Sequence, residues 1–351
     1  MLWRKRKATS STNTSTTLNT SAVTTSTATV SMTSTVPMTS STPIPRRGDW
    51  MGISAGATAS LRVLDACVAL GVKWVRVSHE YGWPDTITRL ANTVTEAHAR
   101  GLKVLQCIQK AGHTYTTTDS AALATFALNC AATGIDAIEI LNEANNRPFF
   151  QPLDLPPNTA ATITAYVGMH LRQAYPNLPI ITTGMSPAPS SYTPHLWWPA
   201  FWDTTSSAHK QAGYTAQALH PYVYPEDPCG LIGHPEWNPW WALPIIRDAM
   251  AARGVNQPVW FTEVGCPGDP TGLTTIRGIA CDEARQAFVT KQYLTQWMTL
   301  GHPQEPIFIA TAYDGDSIST PGPENYLGLI RDDGTRKPAW QIVHDHAALP
   351  L

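Results

Sequence analysis

From residue 51 onward, short apolar runs alternate with longer stretches whose apolar positions recur at helical spacing. The short runs are MGIS (51–54), KWVRVS (73–78), KVLQCI (103–108), AIEIL (137–141), PIITTG (179–184), AQALH (216–220), PVWFT (258–262) and IFIAT (307–311), and each predicts a strand. Between them, SLRVLDACVALG (60–71), TITRLANTVTEAHARG (86–101), SAALATFALNCAATG (120–134) and DEARQAFVTKQYLTQWMTLG (282–301) predict helices, each closing on a Gly. Strands that alternate with helices pair in parallel. Eight such units predict an α/β chain closed as a (β/α)₈ TIM barrel rather than an open doubly wound sheet. A dinucleotide-binding sheet is weakened further because no GxGxxG turn opens a helix.

Ahead of this alternation lies a different texture. Residues 8 to 43 are roughly two-thirds Ser and Thr and contain no Gly, the composition of a solvated arm. In ATVSMTSTVPM (28–38), Ala28, Val30, Met32, Val36 and Met38 share one parity, which is strand period. A lone ribbon is marginally stable, so two readings stand. The arm is a flexible linker, or it orders by docking on a partner chain or larger assembly. PIPRRGDW marks the boundary, dividing the chain into an arm, 1–46, and a barrel domain, 47–351.

Composition narrows the function classes. With 351 residues and 43% hydrophobic residues, the chain can fill one large barrel core. A net charge of −2 gives no broad electrostatic case for nucleic acid or an anionic membrane as partner. Charged residues make up only 14%, while Trp (13) and Pro (29) are abundant, which points to aromatic faces and ordered loops on the surface. MLWRKRK runs directly into Ser and Thr without the apolar stretch of a secretory signal, and no run is long enough to span a bilayer. An extracellular or virion-associated location would therefore require another export route. Cys67, Cys107 and Cys130 fall on apolar faces and read as small buried hydrophobes. Cys229, Cys266 and Cys281 lie in loop-like segments with room for one disulfide, Cys266–Cys281 among the pairings, and the choice stays open.

The chemistry of such a barrel sits at the C-terminal ends of its strands. Strand four ends in Asn142-Glu143, strand seven in Glu263, strand six leads to His220 and Tyr222, and strand two carries Arg76 inside an apolar run. Taken singly, each has a structural explanation: a helix cap, a surface ion pair, an edge charge. Jointly they are harder to dismiss, because an always-charged Arg pointing into a barrel needs carboxylate company. Side chains alternate along a strand, so Glu139 shares parity with Glu143, and His220 with Tyr222. Two carboxylates on opposite walls of a barrel mouth are the equipment for cleaving a glycosidic bond: one protonates the leaving oxygen, and the other attacks the anomeric carbon. A neighbouring amide, Asn142, suits the sugar 2-OH. Neither step needs a metal or cofactor.

EILNEANN together with WFTEVGCP resembles the clan A glycoside hydrolases, a (β/α)₈ group of retaining enzymes, over most of residues 48–351. LGVKWVRVS is similar to their second strand, and ENYLGLIRDDGTRKPAW (324–340) to the closing segment of cellulase-like and xylosidase-like members. The resemblance implies Glu143 as acid/base, Glu263 as nucleophile, Asn142 on the 2-OH and Arg76 beside the nucleophile. It also implies Tyr222 bonded to Glu263, and His220 within the site. Departures are present. Where many members have a His after strand three, Gln109 or His113 stands, and where many have a Trp after strand eight, Tyr313 stands beside Asp314 and Asp316. The Pro that often follows Asn-Glu is Ala144.

Two aromatic segments, HLWWPAFW (195–202) and HPEWNPWW (234–241), read as rim loops. Some of Trp197, Trp198, Trp237, Trp240 and Trp241 are expected to stack on sugar rings, with Trp83 a further candidate, the others packing under the loops. The function expected is a retaining glycoside hydrolase acting on an oligo- or polysaccharide or a glycoconjugate. Its rival is an inert carbohydrate-binding or structural part of a larger assembly such as a phage tail.

Overall fold

The computed structural model describes residues 44–351, apart from 57–58, 110–112, 147–154, 188–192, 206–212, 224, 230–237, 303 and 316–321. The alternating stretch at 28–38, the arm and Trp237 lie outside the described residues.

All eight expected strands form. They are β1 (Met51–Ser54), β2 (Trp74–Val77), β3 (Lys103–Ile108), β4 (Ala137–Ile140), β5 (Ile180–Met185), β6 (Ala216–Leu219), β7 (Val259–Val264) and β10 (Ile307–Ala310). A short antiparallel hairpin, β8 (Thr275–Ile276) with β9 (Ile279–Ala280), intervenes in the long connection after β7. The barrel strands are parallel and close in the order β1-β10-β7-β6-β5-β4-β3-β2. Eight helices are described: α1 (Leu61–Leu70), α2 (Thr86–Ala99), α3 (Ser120–Ala131), α4 (Pro157–Ala174), α5 (Pro194–Thr204), α6 (Pro239–Ala251), α7 (Glu283–Leu300) and α8 (Pro338–Ala348). None is long and apolar enough to cross a membrane.

Two apolar layers follow from strand alternation. Residues on one parity pack outward against the helices and form the large core. Those on the other parity fill the barrel interior: Trp74, Leu105, Ala137, Ile181, Ala216, Ala218, Trp260 and Phe308. Trp74 meets Trp260 and Phe308 edge-on, with ring centroids 5.5 and 6.2 Å away. This packing needs Gly52, because a Cβ there would sit 2.6 Å from the Phe308 ring. One end of the barrel is therefore solid hydrocarbon. Polar interior residues occur further along the same strands, toward their C-terminal ends.

Candidate active site

Asn142 and Glu143 are adjacent in sequence, and regular strand alternation would send them to opposite faces. The backbone prevents this. Leu141 (φ 68°) and Glu143 (φ 46°) both adopt the left-handed conformation, an uncommon and costly choice for non-glycine residues. Both side chains consequently turn into the barrel mouth, where each finds a partner described below. A similar break occurs on β7. Phe261 pairs with Ile307 but Val264 pairs with Ile309, so one extra residue is accommodated in β7. Thr262 and Glu263 both reach the interior network as a result.

The turn after β4 is held from several directions. The Glu143 amide donates to the Gly184 carbonyl at 2.8 Å, and the Ala144 amide to Thr183 Oγ1 at 3.1 Å. Asn145 exchanges two bonds with the Ser186 backbone, at 2.7 and 3.1 Å. Asn146 Nδ2 donates to Glu143 Oε2 at 2.9 Å, a role the sequence did not disclose. The polar run NEANN thus serves to fix one carboxylate.

Arg76 is buried and spends its guanidinium on four acceptors. Its Nε donates to Glu139 Oε2 (2.7 Å), its Nη2 to Asn142 Oδ1 (2.8 Å), and its Nη1 to Ser54 Oγ (3.3 Å) and, in close contact, to Glu263. Burial opposes the charge, yet Glu139 and Glu263 hold the Arg76 pKa well above its ordinary value. The expectation that Arg76 must have carboxylate company is met twice over. Tyr222 donates to Glu263 Oε2 at 3.1 Å.

His220 ties the other side together. Its Nδ1 lies 2.9 Å from Glu143 Oε1 and 3.9 Å from Glu263 Oε2. Its Nε2 lies 3.0 Å from Thr262 Oγ1 and 3.7 Å from Glu139 Oε1. Burial disfavours a charged ring, but Glu263, Glu139 and Glu143 outweigh it and raise the His220 pKa to about 9. The ring is then a cation that donates from both nitrogens at neutral pH. Glu143, His220 and Glu263 each offer one ligand atom, all within 4.8 Å of one another. With its proton on His220 the cluster is arranged for acid–base chemistry, the ring donating to Glu143.

Gly184 makes the arrangement sterically feasible. A Cβ there would fall 2.1 Å from His220 Nε2 and 2.7 Å from Glu139 Oε1, both buried and fixed. Gly184→Ala is expected to push His220 off Glu143 and to lower stability by about 1–3 kcal/mol, the usual cost of overpacking. Chemical denaturation checks this, and an unchanged midpoint with unchanged activity would contradict it.

Other expected site residues fall differently. Gln109 is buried and its backbone bridges to Glu80, while His113 lies 3.3 Å from Asp119 Oδ1; neither bonds to Glu143 or Glu263. Tyr313 is half-buried, with the Arg62 guanidinium 4.4 Å above its ring. Asp314 pairs with buried Lys337, and Asp316 lies outside the described residues.

The aromatic segments need correction. HLWWPAFW is helix α5, not a loop, and Trp240 and Trp241 begin α6. Trp197 stacks on Phe201 and Trp198 on Trp202, each at helical i, i+4 spacing, and both are shut off from solvent. Trp240 stacks on Phe261 at 4.8 Å. Trp197, Trp198 and Trp240 are therefore part of the buried core, Trp240 directly against β7, and present no open face to a sugar. Thr193-Pro194 and Asn238-Pro239 are the local signals for these helices, since a capping-type residue followed by Pro at N1 starts a helix. Trp83 and Trp241 remain about half exposed, at 48% and 47%. All six cysteines are free thiols, so the disulfide considered for Cys266–Cys281 is not formed. Cys67, Cys107 and Cys130 are buried as expected.

No family model matches the chain, and no curated protein matches it in sequence. Solved structures do share its architecture. A GH5 enzyme from Streptomyces cattleya, solved with Manb1-4GlcNAc, is similar at TM-score 0.62 and 17% identity, covering 85% of this chain and 80% of that one. The GH53 catalytic domain of Ignisphaera aggregans matches at 0.58 and 14%, over 86% and 98%. A GH128 (subgroup II) endo-beta-1,3-glucanase from Sorangium cellulosum matches at 0.56 and 15%, over 86% and 99%. The fold is that of the clan A glycoside hydrolases. The resemblance to clan A that EILNEANN and WFTEVGCP carry in sequence thus has a matching architecture. At these identities the likeness extends to the barrel and not to a substrate.

Proposed function

We propose that this chain is a retaining glycoside hydrolase that cleaves an oligo- or polysaccharide or a glycoconjugate by double displacement. The observation that carries the reading is the spacing of the two carboxylates. Glu143 and Glu263 present oxygens within 4.8 Å of each other, bridged by His220. Retaining enzymes hold their carboxyl groups about 5–5.5 Å apart, whereas inverting enzymes need roughly 6.5–9.5 Å to admit a water.

In the first step a Glu263 oxygen bonds to the anomeric carbon while the glycosidic C–O bond breaks and the Glu143 proton passes to the leaving oxygen. In the second, water attacks the same carbon. Glu143 takes the water's proton, the ester to Glu263 opens, and the sugar leaves with its configuration retained. Glu263 suits the nucleophile's part, since Arg76 and Tyr222 each donate to one of its oxygens and aim the carboxyl group. Glu143 suits the acid/base, with His220 and Asn146 fixing its two oxygens. Arg76 can only donate, so the Asn142 atom facing it is the carbonyl oxygen. The Asn142 amide NH₂ is left to donate to a sugar 2-OH, a contact that strengthens in the transition state.

The decisive test is incubation with a panel of aryl glycosides and cell-wall glycans, followed by labelling with a 2-fluoro glycoside that traps the covalent intermediate. Label on the Glu263 peptide is the expected result. Binding without turnover or labelling would favour the carbohydrate-binding component instead. Trp83 opens on a cavity of about 450 Å³ shared with Tyr81, Asp85, Phe126 and Asn129. Trp83→Ala and Trp241→Ala are expected to weaken glycan binding by roughly tenfold each, about 1.4 kcal/mol. Unaltered calorimetric affinity would remove either residue from the substrate path.

A further inference from the structure

Five ionisable groups converge at the mouth: Arg76 and His220, and the carboxyls of Glu139, Glu143 and Glu263. The proposed reaction uses two of the carboxyls and leaves Glu139 unassigned. Glu139 lies on β4 itself, ahead of the turn that carries Glu143, with no solvent exposure, and so cannot touch a sugar. Its oxygens are nevertheless fully engaged. Oε2 accepts from Arg76 Nε at 2.7 Å, and Oε1 accepts from the Gly184 amide at 3.0 Å and from Thr262 Oγ1 at 3.3 Å, with His220 Nε2 at 3.7 Å.

We propose that Glu139 is a positioning residue that holds Arg76 and His220 together as cations behind the reactive pair, aiming Arg76 at Glu263 and His220 at Glu143. The inference rests on the double-displacement reading and deepens it. Its logic is charge constancy. When Glu143 carries the transferable proton, two cations (Arg76, His220) face two anions (Glu139, Glu263), and the buried charges balance. In the covalent intermediate Glu263 becomes a neutral ester and Glu143 an anion. Each reactive carboxyl changes state, so neither is a constant counter-ion for the cations beside it. Glu139 alone stays ionised throughout. Although burial opposes its charge, Arg76 and His220 together hold its pKa below the usual carboxylate range. Gly184 supplies both a backbone donor and the missing Cβ that lets Glu139 and His220 approach.

The groups facing His220 are Glu139 and Glu143 from β4 and its end, Thr262 and Glu263 from β7, and Tyr222 after β6. Arg76 and buried Cys107 border Glu139 from β2 and β3. Among these, Glu139→Gln removes one charge while keeping shape and hydrogen-bonding capacity.

Nitrogen-15 NMR of histidine-labelled, ligand-free protein tests this without depending on turnover. The His220 signal is assigned by its loss in His220→Asn. In the wild type the ring is expected to remain doubly protonated past pH 8, and in Glu139→Gln to lose its proton roughly 1–3 pH units lower. If the aryl glycoside panel gives a substrate, Glu139→Gln is further expected to lower kcat by roughly 10²-fold with KM little changed, as misaimed groups do. The alkaline limb of the pH profile should move down with the NMR titration, and Glu139→Asp, which keeps the charge, should restore part of both. A Glu139→Gln ring that titrates as in the wild type overturns the proposal. If that variant does not fold, a wild-type His220 titrating near its ordinary value of about 6.5 overturns it equally. Absence of any turnover, with the NMR result as expected, would remove the hydrolase reading and leave the positioning of His220 standing.

Discussion

Replacing Glu263 by Gln is expected to lower kcat by roughly 10⁴–10⁶-fold, the scale on which enzymes lose rate when a nucleophile is removed. The fold should survive. Glu263 is partly exposed, and a Gln amide oxygen can still accept from Arg76 while its NH₂ faces the Tyr222 hydroxyl, which can turn to accept. Glu143→Gln should behave differently. General acid catalysis contributes about 10²–10⁴-fold, and the contribution depends on how badly the leaving group needs a proton. Glu143→Gln should therefore cleave an activated aryl glycoside far better than it cleaves a natural glycan. Steady-state rates on the two substrate types separate the roles. Equal losses on both substrates in Glu143→Gln, or turnover within tenfold of wild type in Glu263→Gln, would reverse or abolish the assignment.

The largest expected effect on stability lies outside the proposed catalytic pair. Lys337 Nζ is buried and spends all three of its protons: on Asp314 Oδ1 at 2.7 Å, on the Gly268 carbonyl at 2.8 Å and on the Tyr326 carbonyl at 3.1 Å. It thereby ties the connection after β7, the turn after β10 and the 3₁₀ turn at Pro323–Tyr326 to the start of α8. Lys337→Met leaves Asp314 buried without its cation and the Gly268 carbonyl without the Lys337 donor, while the Tyr326 carbonyl keeps the Gly268 amide at 2.8 Å and Gln286 Nε2 at 3.3 Å. Burial already raises the Asp314 pKa to about 6 against the pull of Lys337, so the orphaned carboxyl should take up a proton rather than stay charged. Breaking such a buried pair costs about 3–5 kcal/mol. Denaturant unfolding of Lys337→Met should show a loss of that size, and Lys337→Met with Asp314→Asn should recover part of it. A loss below about 1 kcal/mol, the scale of an exposed ion pair, would mean that Lys337 is not buried as described.

The local signals in the sequence carried the barrel a long way. Each strand from MGIS to IFIAT was legible because a parallel strand buried on both faces is a short apolar run between helices, and burial is a property each residue declares through its own side chain. The candidate site was legible for the same reason. Glu143, Glu263, His220 and Arg76 are polar where their neighbours are apolar, and a barrel places strand ends at one mouth. The aromatic segments form helices rather than the loops expected, although the signals for them are local. Trp197 and Phe201, like Trp198 and Trp202, stand four apart after a Pro start, but Trp beside Pro suggested a binding loop.

What the sequence by itself determined, then, is which residues are apolar, at what period, and where an acid interrupts them. Only the tertiary structure decided that Asn142 and Glu143 face the same way, because left-handed backbone at Leu141 and Glu143 overrides an alternation that local pattern assumes. It also decided that Glu139, 63 residues from Arg76 and 123 from Thr262, is the hub joining them. Partnership between groups so distant in the chain depends on barrel closure and on the room left by Gly184, and neither is written in the residues that use them.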